Sequence, residues 1–279
     1  STYRDRLSGE KMEKVKVCVP ITGQNQTEIE SQARAIAATE ADVVEWRFDL
    51  ATALYPSVQE ANAHTRDAAE DGHSGKIDAA SEEARQLQAM IAQLRTLLPG
   101  KELLFTIRTQ RQGGSFPEDA AAYRRFCTLA LASAQLDYLD LEDTTPAEDS
   151  RALMTLAHEK GVRVIASYHD FEKTAAVEEI LEKLRALRAM GADILKTAYM
   201  PVKTSDVAAL LLATARFREE DAAQHPLITM SMGEIGQISR LVGGAFGSML
   251  TFATVGECSA PGQMPIEVVR AAIMHLSSH

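Results

Sequence analysis

The sequence predicts an α/β fold, a (β/α)8 TIM barrel, because strand-like and helix-like segments alternate along the whole chain. Most of the strand-like runs are apolar nearly throughout, which is typical of parallel strands that are covered on both faces. Polar and charged residues collect where these runs end, and the carboxyl ends of the strands carry the chemistry in such barrels. The length of 279 residues suits a single barrel domain over residues 1–279.

Eight short, mainly apolar runs are predicted as strands. In chain order they are Val15–Ile21, Val43–Asp49, Glu102–Arg108, Tyr138–Glu142, Arg163–His169, Asp193–Ala198, Leu227–Met232 and Met249–Val255.

The segments between these runs are rich in Ala, Leu, Glu, Arg and Gln, which favour helix. The clearest helices are predicted at Thr27–Thr39, Ser81–Leu98, Glu118–Ala134, Ala147–Lys160, Thr174–Met190 and Ser205–Asp221. Gly161 and Gly191 each follow a helical pattern and are typical helix stops. A doubly wound open sheet is the alternative fold, but no G-x-G-x-x-G fingerprint follows the first strand.

The interval between the second and third strands is much longer than the others, and its excess lies in residues 57–80. This segment is rich in Ala, Asp, Glu and His, and we interpret it as an inserted surface segment of the single domain. His64 and His73 lie within it, but no ligand spacing supports a metal site there.

Charge and cysteine content limit the class of function. The net charge is −10, which argues against sequence-independent binding to nucleic acid, since that needs a basic surface. The three cysteines, Cys18, Cys127 and Cys258, are widely spaced and form no zinc or disulfide pattern, so we expect reduced thiols in a cytoplasmic protein.

No targeting or membrane-spanning segment is expected. The first 16 residues are charged and lack the apolar core of a signal peptide. The most apolar candidate for a membrane span, Leu241–Val255, is short and interrupted by glycines.

Lys196 is the most informative residue, because it lies within an apolar run that reads as a buried strand. Burial disfavours the charged amine and lowers its pKa, so such a lysine can be a nucleophile that forms a Schiff base with a carbonyl substrate. The alternative is a lysine whose stem packs in the core while its ammonium group reaches water. His169, at the end of the preceding strand, is a candidate proton-transfer group.

Two arginines are predicted to face the barrel interior. Glu45 and Arg47 are two residues apart in one strand, so both lie on the same face, and Arg108 ends the next strand. Interior arginines near one mouth indicate an anionic or hydroxyl-rich ligand, or alternatively a structural ion-pair network.

The segment after the seventh strand, residues 232–240, contains two glycines and ends at Arg240. In many barrels this region binds an anion at a helix N-terminus, and a carboxylate would serve as well as a phosphate.

The ordered motifs together resemble the type I 3-dehydroquinate dehydratase family over nearly the whole chain. The motifs are Glu45-Trp46-Arg47-Phe48-Asp49, Thr106-Ile107-Arg108-Thr109, Ser167-Tyr168-His169-Asp170-Phe171, Lys196-Thr197-Ala198, Met230-Ser231-Met232-Gly233 with Ser239-Arg240, and Ser259-Ala260-Pro261-Gly262-Gln263. The resemblance implies a homodimeric (β/α)8 barrel, without metal or organic cofactor, that dehydrates 3-dehydroquinate in the shikimate pathway of aromatic amino acid biosynthesis.

The resemblance also implies a role for each matched residue. It makes Lys196 the Schiff-base lysine, His169 the general acid and base, and Glu45 the partner that orients His169. The implied substrate contacts are Arg47, Arg108, Met230, Met232, Arg240, Ser259 and Gln263, the last three forming a carboxylate clamp with a loop that closes over the substrate.

One position departs from the resemblance, because Gln112 stands where many family members have a glutamate. Gln112 is therefore predicted only as a neutral ligand contact. Two other functions stay open, another Schiff-base barrel lyase of the class I aldolase type and a non-catalytic barrel that binds a carboxylated polyol. The complete Lys196 and His169 motifs argue against the second, and the Glu45-x-Arg47 motif paired with His169 argues against the first.

Overall fold

The computed structural model of the chain describes residues 14–64, 73–256 and 261–276, which contain eight parallel strands in one sheet. The strands are β1 (Lys16–Ile21), β2 (Val43–Arg47), β3 (Glu102–Thr106), β4 (Tyr138–Glu142), β5 (Arg163–Asp170), β6 (Ile194–Tyr199), β7 (Leu227–Ser231) and β8 (Leu250–Phe252).

Helices follow the strands in the order that the sequence predicts. They are α1 (Gln26–Ala37), α2 (Pro56–His64), α3 (His73–Leu97), α4 (Ala120–Ala132), α5 (Ala147–Glu159), α6 (Val177–Ala189), α7 (Thr204–Glu220), the short α8 (Ser239–Val242) and α9 (Ile266–Leu276). Amphipathic patterns explain them: the buried residues of α6, for example, are the leucines and isoleucine at Ile180, Leu181, Leu184 and Leu187.

The strands close into a barrel. The sheet runs in the order β7-β6-β5-β4-β3-β2-β1-β8, so consecutive strands pair from β1 to β7, and β8 returns to pair with β1. The remaining seam is joined by a parallel bridge between Leu227 and Ser248, and the Met249 amide donates to the Leu227 carbonyl at 2.7 Å. The predicted (β/α)8 barrel is therefore confirmed, and the open sheet is not what the chain forms.

Several predicted element ends move by a few residues. Residues Phe48–Leu50 form a 3-10 turn instead of continuing β2. The predicted helix from Thr174 begins only at Val177. The Asp170 carboxylate explains the later start, because it accepts from the backbone amides of Glu172 and Lys173 and holds a turn there.

The segment predicted as an insertion contains all of α2 except its first residue, and the first turns of α3. Residues 65–72 lie outside the described part of the chain, as do the side chains of His64 and His73, so the question of a metal site at those histidines lies outside it too. Among the described helices, none combines the length and the apolarity that crossing a bilayer requires.

Two apolar clusters place the site. The barrel interior is filled by a small cluster: Cys18, Val43, Leu104, Tyr138, Ile165, Ile194, Ile228, Leu250 and Phe252. A much larger cluster lies between the strands and the surrounding helices. The interior cluster fills the lower barrel, so inward-facing residues further along each strand lie towards the carboxyl-end mouth.

Candidate active site

The strands bring the predicted residues to one end of the barrel interior. Side chains two apart on a strand share a face, and Lys196 and Glu45 each follow a member of the interior cluster by two residues. In the register of β5 with β6, Ser167 lies opposite Lys196 and His169 lies opposite Ala198. His169 is therefore the diagonal neighbour of Lys196, one step closer to the barrel mouth.

Lys196 is a buried amine with weakened basicity. Its side chain is 5% exposed, and its Nζ lies 4.7 Å from the centroid of the Phe252 ring. Burial lowers the pKa of Lys196, the nearby Arg108 adds to the effect, and the negative charges of Glu45 and Asp140 oppose it. The amine is therefore neutral, and nucleophilic, at lower pH than an exposed lysine.

His169 is held as a neutral imidazole. Burial lowers the pKa of His169 well below its ordinary value, and the positive charges of Arg108, Lys196 and Arg47 lower it further. The ring stacks on Phe171 with a centroid distance of 6.2 Å and an interplanar angle of 13°. A neutral imidazole beside an amine is a base that can take a proton from a bound substrate.

The hydrogen-bond partner of His169 is Gln112, and not Glu45, to which the sequence analysis assigned this role. The Gln112 Oε1 lies 3.0 Å from His169 Nδ1 and accepts from the His169 backbone amide, also at 3.0 Å. Glu45 instead accepts a hydrogen bond from Thr106 at 2.8 Å, and its charge acts on Lys196. Gln112 comes from the turn after β3, which no strand pattern could place beside His169.

Two glycines shape that turn. Gly113 has a φ of +85°, and a Cβ there would lie 2.3 Å from the Phe171 ring. A Cβ on Gly114 would lie 2.0 Å from the Arg108 carbonyl oxygen. The close approach that only glycine permits brings Gln112 underneath His169, where it is buried.

Arg108 is the centre of a buried ion-pair cluster. It binds Asp140 through both terminal nitrogens, at 3.1 and 2.9 Å, and it also donates to Glu142 at 2.8 Å and to Ser167 at 3.1 Å. Burial disfavours the charge, but Asp140 and Glu142 outweigh it and raise the pKa of Arg108. These contacts are those of the structural ion-pair alternative. Sequence reasoning missed Asp140 as a partner, although Asp140 and Glu142 are two apart on a buried strand and so share a face.

Arg47 is oriented by Asp49, another residue that the sequence analysis left unassigned. Two bonds of 2.8 Å join the guanidinium to the buried carboxylate, which also accepts from the backbone amides of Arg108 and Ser115. The side chain of Arg47 stays 22% exposed. Asp49 thus ties β2 to the turn after β3 and leaves one edge of Arg47 available at the barrel mouth.

Arg240 differs from the other two arginines because no carboxylate among the described residues pairs with it. Its Nε is buried without a hydrogen-bond partner, and burial lowers the pKa of Arg240 with no carboxylate opposing the shift among the described residues. Ser239 anchors the short α8 by accepting from the Ser231 amide at 3.0 Å. A buried guanidinium whose Nε finds no partner within the described part of the chain is the arrangement expected of a site for a carboxylate ligand.

The loop after β8 lies against the loop after β7. A Cβ on Gly262 would meet the Gly233 carbonyl oxygen at 2.4 Å, so the backbones touch at this point. Gln263 therefore directly follows the point where its own loop touches the loop that leads to Arg240. Ser259 lies outside the described residues. By strand alternation Met230 and Met232 face the interior, and Met230 packs on the interior cluster.

Within the described ranges, no three His, Cys, Asp or Glu side chains are grouped so that they could hold a metal ion. What these ranges do place at the carboxyl ends of the strands is a buried amine, a neutral imidazole and an arginine whose Nε has no hydrogen-bond partner among them. This set can attack a carbonyl, move a proton and bind an anionic substrate.

Comparison with known proteins agrees with this chemistry. The family model described as type I 3-dehydroquinase matches residues 17–278. A 3-dehydroquinate dehydratase of Klebsiella pneumoniae is 38% identical over 261 residues, which cover 94% of this chain and 93% of the relative. The enzyme of the same name from Bacillus subtilis is 35% identical over 258 residues, covering 92% of this chain and 90% of the relative.

Solved structures show the same likeness. The type I 3-dehydroquinate dehydratase of Clostridium difficile, solved with covalently modified comenic acid, superposes with a TM-score of 0.81 at 31% identity. The 3-dehydroquinate dehydratase of Geobacillus kaustophilus superposes with a TM-score of 0.80 at 32% identity. Each comparison covers 95% of this chain and 92% of the other.

Proposed function

Because the chain belongs to the type I 3-dehydroquinase family, we propose that it dehydrates 3-dehydroquinate to 3-dehydroshikimate through a Schiff base on Lys196. The observation that carries this proposal is the inward-facing Lys196, buried and with a lowered pKa, diagonal to the neutral His169 on the adjacent strand.

The first step is imine formation. The neutral Lys196 Nζ attacks the substrate ketone, and the resulting carbinolamine loses water to give an iminium. Glu45 and Asp140 are the carboxylates whose charges act on Lys196, and they stabilise the positive nitrogen that forms there. The iminium withdraws electrons, so the adjacent C–H bond becomes acidic.

The second step is elimination. His169 takes the proton from the carbon beside the iminium, leaving an enamine whose electrons then expel the hydroxyl on the next carbon. The imidazolium formed in the first half is a strong acid, because the same burial and cations that lower its pKa favour loss of the proton. His169 therefore returns that proton to the departing hydroxyl, which leaves as water, and hydrolysis of the product imine restores Lys196.

Substrate binding follows from the charges at the mouth. We assign the substrate carboxylate to Arg240, with Ser259 and Gln263 completing the clamp from the loop after β8. Arg47 contributes its open edge to a ring hydroxyl, and Met230 and Met232 line the pocket. Arg108 acts mainly through its charge, since Asp140, Glu142 and Ser167 occupy its guanidinium.

Borohydride trapping tests the proposal. Reduction in the presence of 3-dehydroquinate should add one ligand mass to the peptide that contains Lys196, and Lys196→Met should abolish both the adduct and turnover. Lys203→Met, at an exposed lysine on the next loop, is the matched control and should keep both. An ultraviolet assay for the conjugated enone product separates dehydration from aldol cleavage. Label on another lysine, or the absence of enone, would refute the assignment.

Further properties belong to the same proposal. We propose a single-domain, homodimeric, cytoplasmic enzyme that works without metal or organic cofactor, because the lysine imine itself supplies the electron sink. The buried free thiols of Cys18 and Cys127 and the net charge of −10 agree with a reducing compartment and with a small-molecule substrate. Sedimentation velocity tests the dimer, and turnover after dialysis against a chelator tests the cofactor statement.

A further inference from the structure

Behind His169 lies a chain of hydrogen bonds that the catalytic steps do not use. Gln112 Nε2 donates to Asp143 Oδ1 at 2.9 Å, and Lys183 Nζ donates to Asp143 Oδ2 at 2.8 Å. Lys183 also sits 4.1 Å from the centroid of the Tyr168 ring. This hydrogen-bond chain therefore runs from the imidazole of His169 through the amide of Gln112 and the carboxylate of Asp143 to the ammonium group of Lys183 on α6.

The two groups that bind the Gln112 side chain, the His169 backbone amide and the Asp143 carboxylate, fix the orientation of its amide. A backbone N–H can only donate, so the Gln112 atom that meets the His169 amide must be the oxygen. A carboxylate can only accept, so the atom that meets Asp143 must be the nitrogen. The same oxygen then faces His169 Nδ1, which must carry the proton, and Nε2 is left with the lone pair that a base needs.

We propose that Asp143, held by Lys183, is a positioning residue that orients Gln112 and thereby keeps His169 in the tautomer with a free Nε2. The inference rests on the proposed role of His169 as the base. It assigns a function to two residues, Asp143 and Lys183, that do not themselves contact the imidazole.

The hydrogen-bond chain also keeps negative charge away from the imidazole ring of His169. The charged groups that act on His169 are the cations Arg108 from the end of β3, Lys196 from β6 and Arg47 from β2, while the turn after β3 contributes the neutral Gln112. The carboxylate of Asp143 is one amide further away and is paired with Lys183. A carboxylate placed directly on Nδ1 would stabilise the imidazolium and raise its pKa.

The decisive variant is Asp143→Asn. One amide oxygen would then have to serve two donors, Lys183 and Gln112, so Gln112 loses its anchor. We expect kcat to fall about 10-fold, less than the 10²–10⁴ attributed to a whole general base. Borohydride labelling of Lys196 should persist, because imine formation does not use the tautomer of His169. In protein labelled with ¹⁵N-histidine, the His169 signal, assigned by its loss in His169→Ala, should change from Nδ1-protonated towards a mixture.

The double variant Gln112→Glu with Asp143→Asn restores the hydrogen-bond chain but moves the carboxylate from position 143 to position 112, next to His169. The introduced carboxylate would accept from the His169 backbone and Nδ1, and the introduced amide would donate to that carboxylate. We expect kcat to recover at high pH and its acid limb to move to higher pH, because the adjacent carboxylate raises the pKa of His169. This variant stands as a test even if Asp143→Asn does not fold.

Glu220→Gln is the matched control. Like Asp143→Asn, it converts a carboxylate to an amide, here in an exposed ion pair with Arg185, which lies on α6 as Lys183 does. It should leave kcat, the pH profile and the ¹⁵N pattern unchanged. Unchanged values of all three in a folded Asp143→Asn, or a double variant with wild-type pH dependence, would overturn the positioning role. Failure of the wild-type enzyme to label at Lys196 would instead overturn the proposed function, so the two failures are distinct.

Discussion

Replacing Arg240 by methionine tests the assignment of the substrate carboxylate most directly. Methionine keeps much of the side-chain volume and removes the charge. A hydrogen bond to a charged group contributes about 1.5–3 kcal/mol, which corresponds to about a 10- to 150-fold rise in KM. We expect KM for 3-dehydroquinate to rise within that range while borohydride still labels Lys196 at saturating substrate.

The same variant makes an opposite prediction for stability. The Arg240 Nε is buried and has no hydrogen-bond partner among the residues that the structure describes, and burial lowers the pKa of Arg240, so the free enzyme carries the desolvation cost of this cation. Its removal should leave the free energy of unfolding unchanged or increase it. A purely structural arginine would behave in the reverse way, with a lower Tm and an unchanged KM.

Arg270→Met provides the control. The Nε of Arg270 is also buried with no hydrogen-bond partner in the described part of the chain. A terminal nitrogen of Arg270, however, donates to Asp42 at 2.9 Å, at the opposite end of the barrel from the site. This variant should lower Tm and leave KM alone. Thermal melts and initial-rate kinetics on both variants decide the question, and the same pattern of change in the two would refute the reasoning.

Two further predictions concern the ionisable groups of the site. The pKa of His169 is lowered, so the imidazole remains an unprotonated base at pH values below the ordinary histidine pKa of about 6.5. We therefore expect kcat of the wild-type enzyme to fall only below that pH. His169→Ala should lose this acid limb and about 10²–10⁴-fold of the turnover. Asp140→Asn leaves Arg108 with one carboxylate, and breaking a buried ion pair of this kind should lower the free energy of unfolding by about 3–5 kcal/mol in urea titrations. A fall in kcat that begins above pH 7 would contradict the first prediction, and an unchanged urea midpoint would contradict the second.

The interior positions of the site were predictable from the sequence because a strand repeats every two residues. Apolar runs predicted where the strands lie, and alternation then determined that Lys196, Glu45 and Arg47 face the barrel interior with Ile194 and Val43. The alternation of a strand is visible in consecutive residues, so it can be recognised without knowing how the rest of the chain folds.

Pairing between distant residues was decided only by the tertiary structure. Arg108 and Arg240 look alike in the sequence. Arg108 binds two carboxylates, whereas the buried Nε of Arg240 has no partner in the described ranges. His169 meets Gln112, 57 residues away in the chain, because Gly113 and Gly114 let the turn after β3 approach closely. A hydrogen bond depends on the relative position of two segments to within a few tenths of an ångström, and that position is set by the packing of the whole barrel.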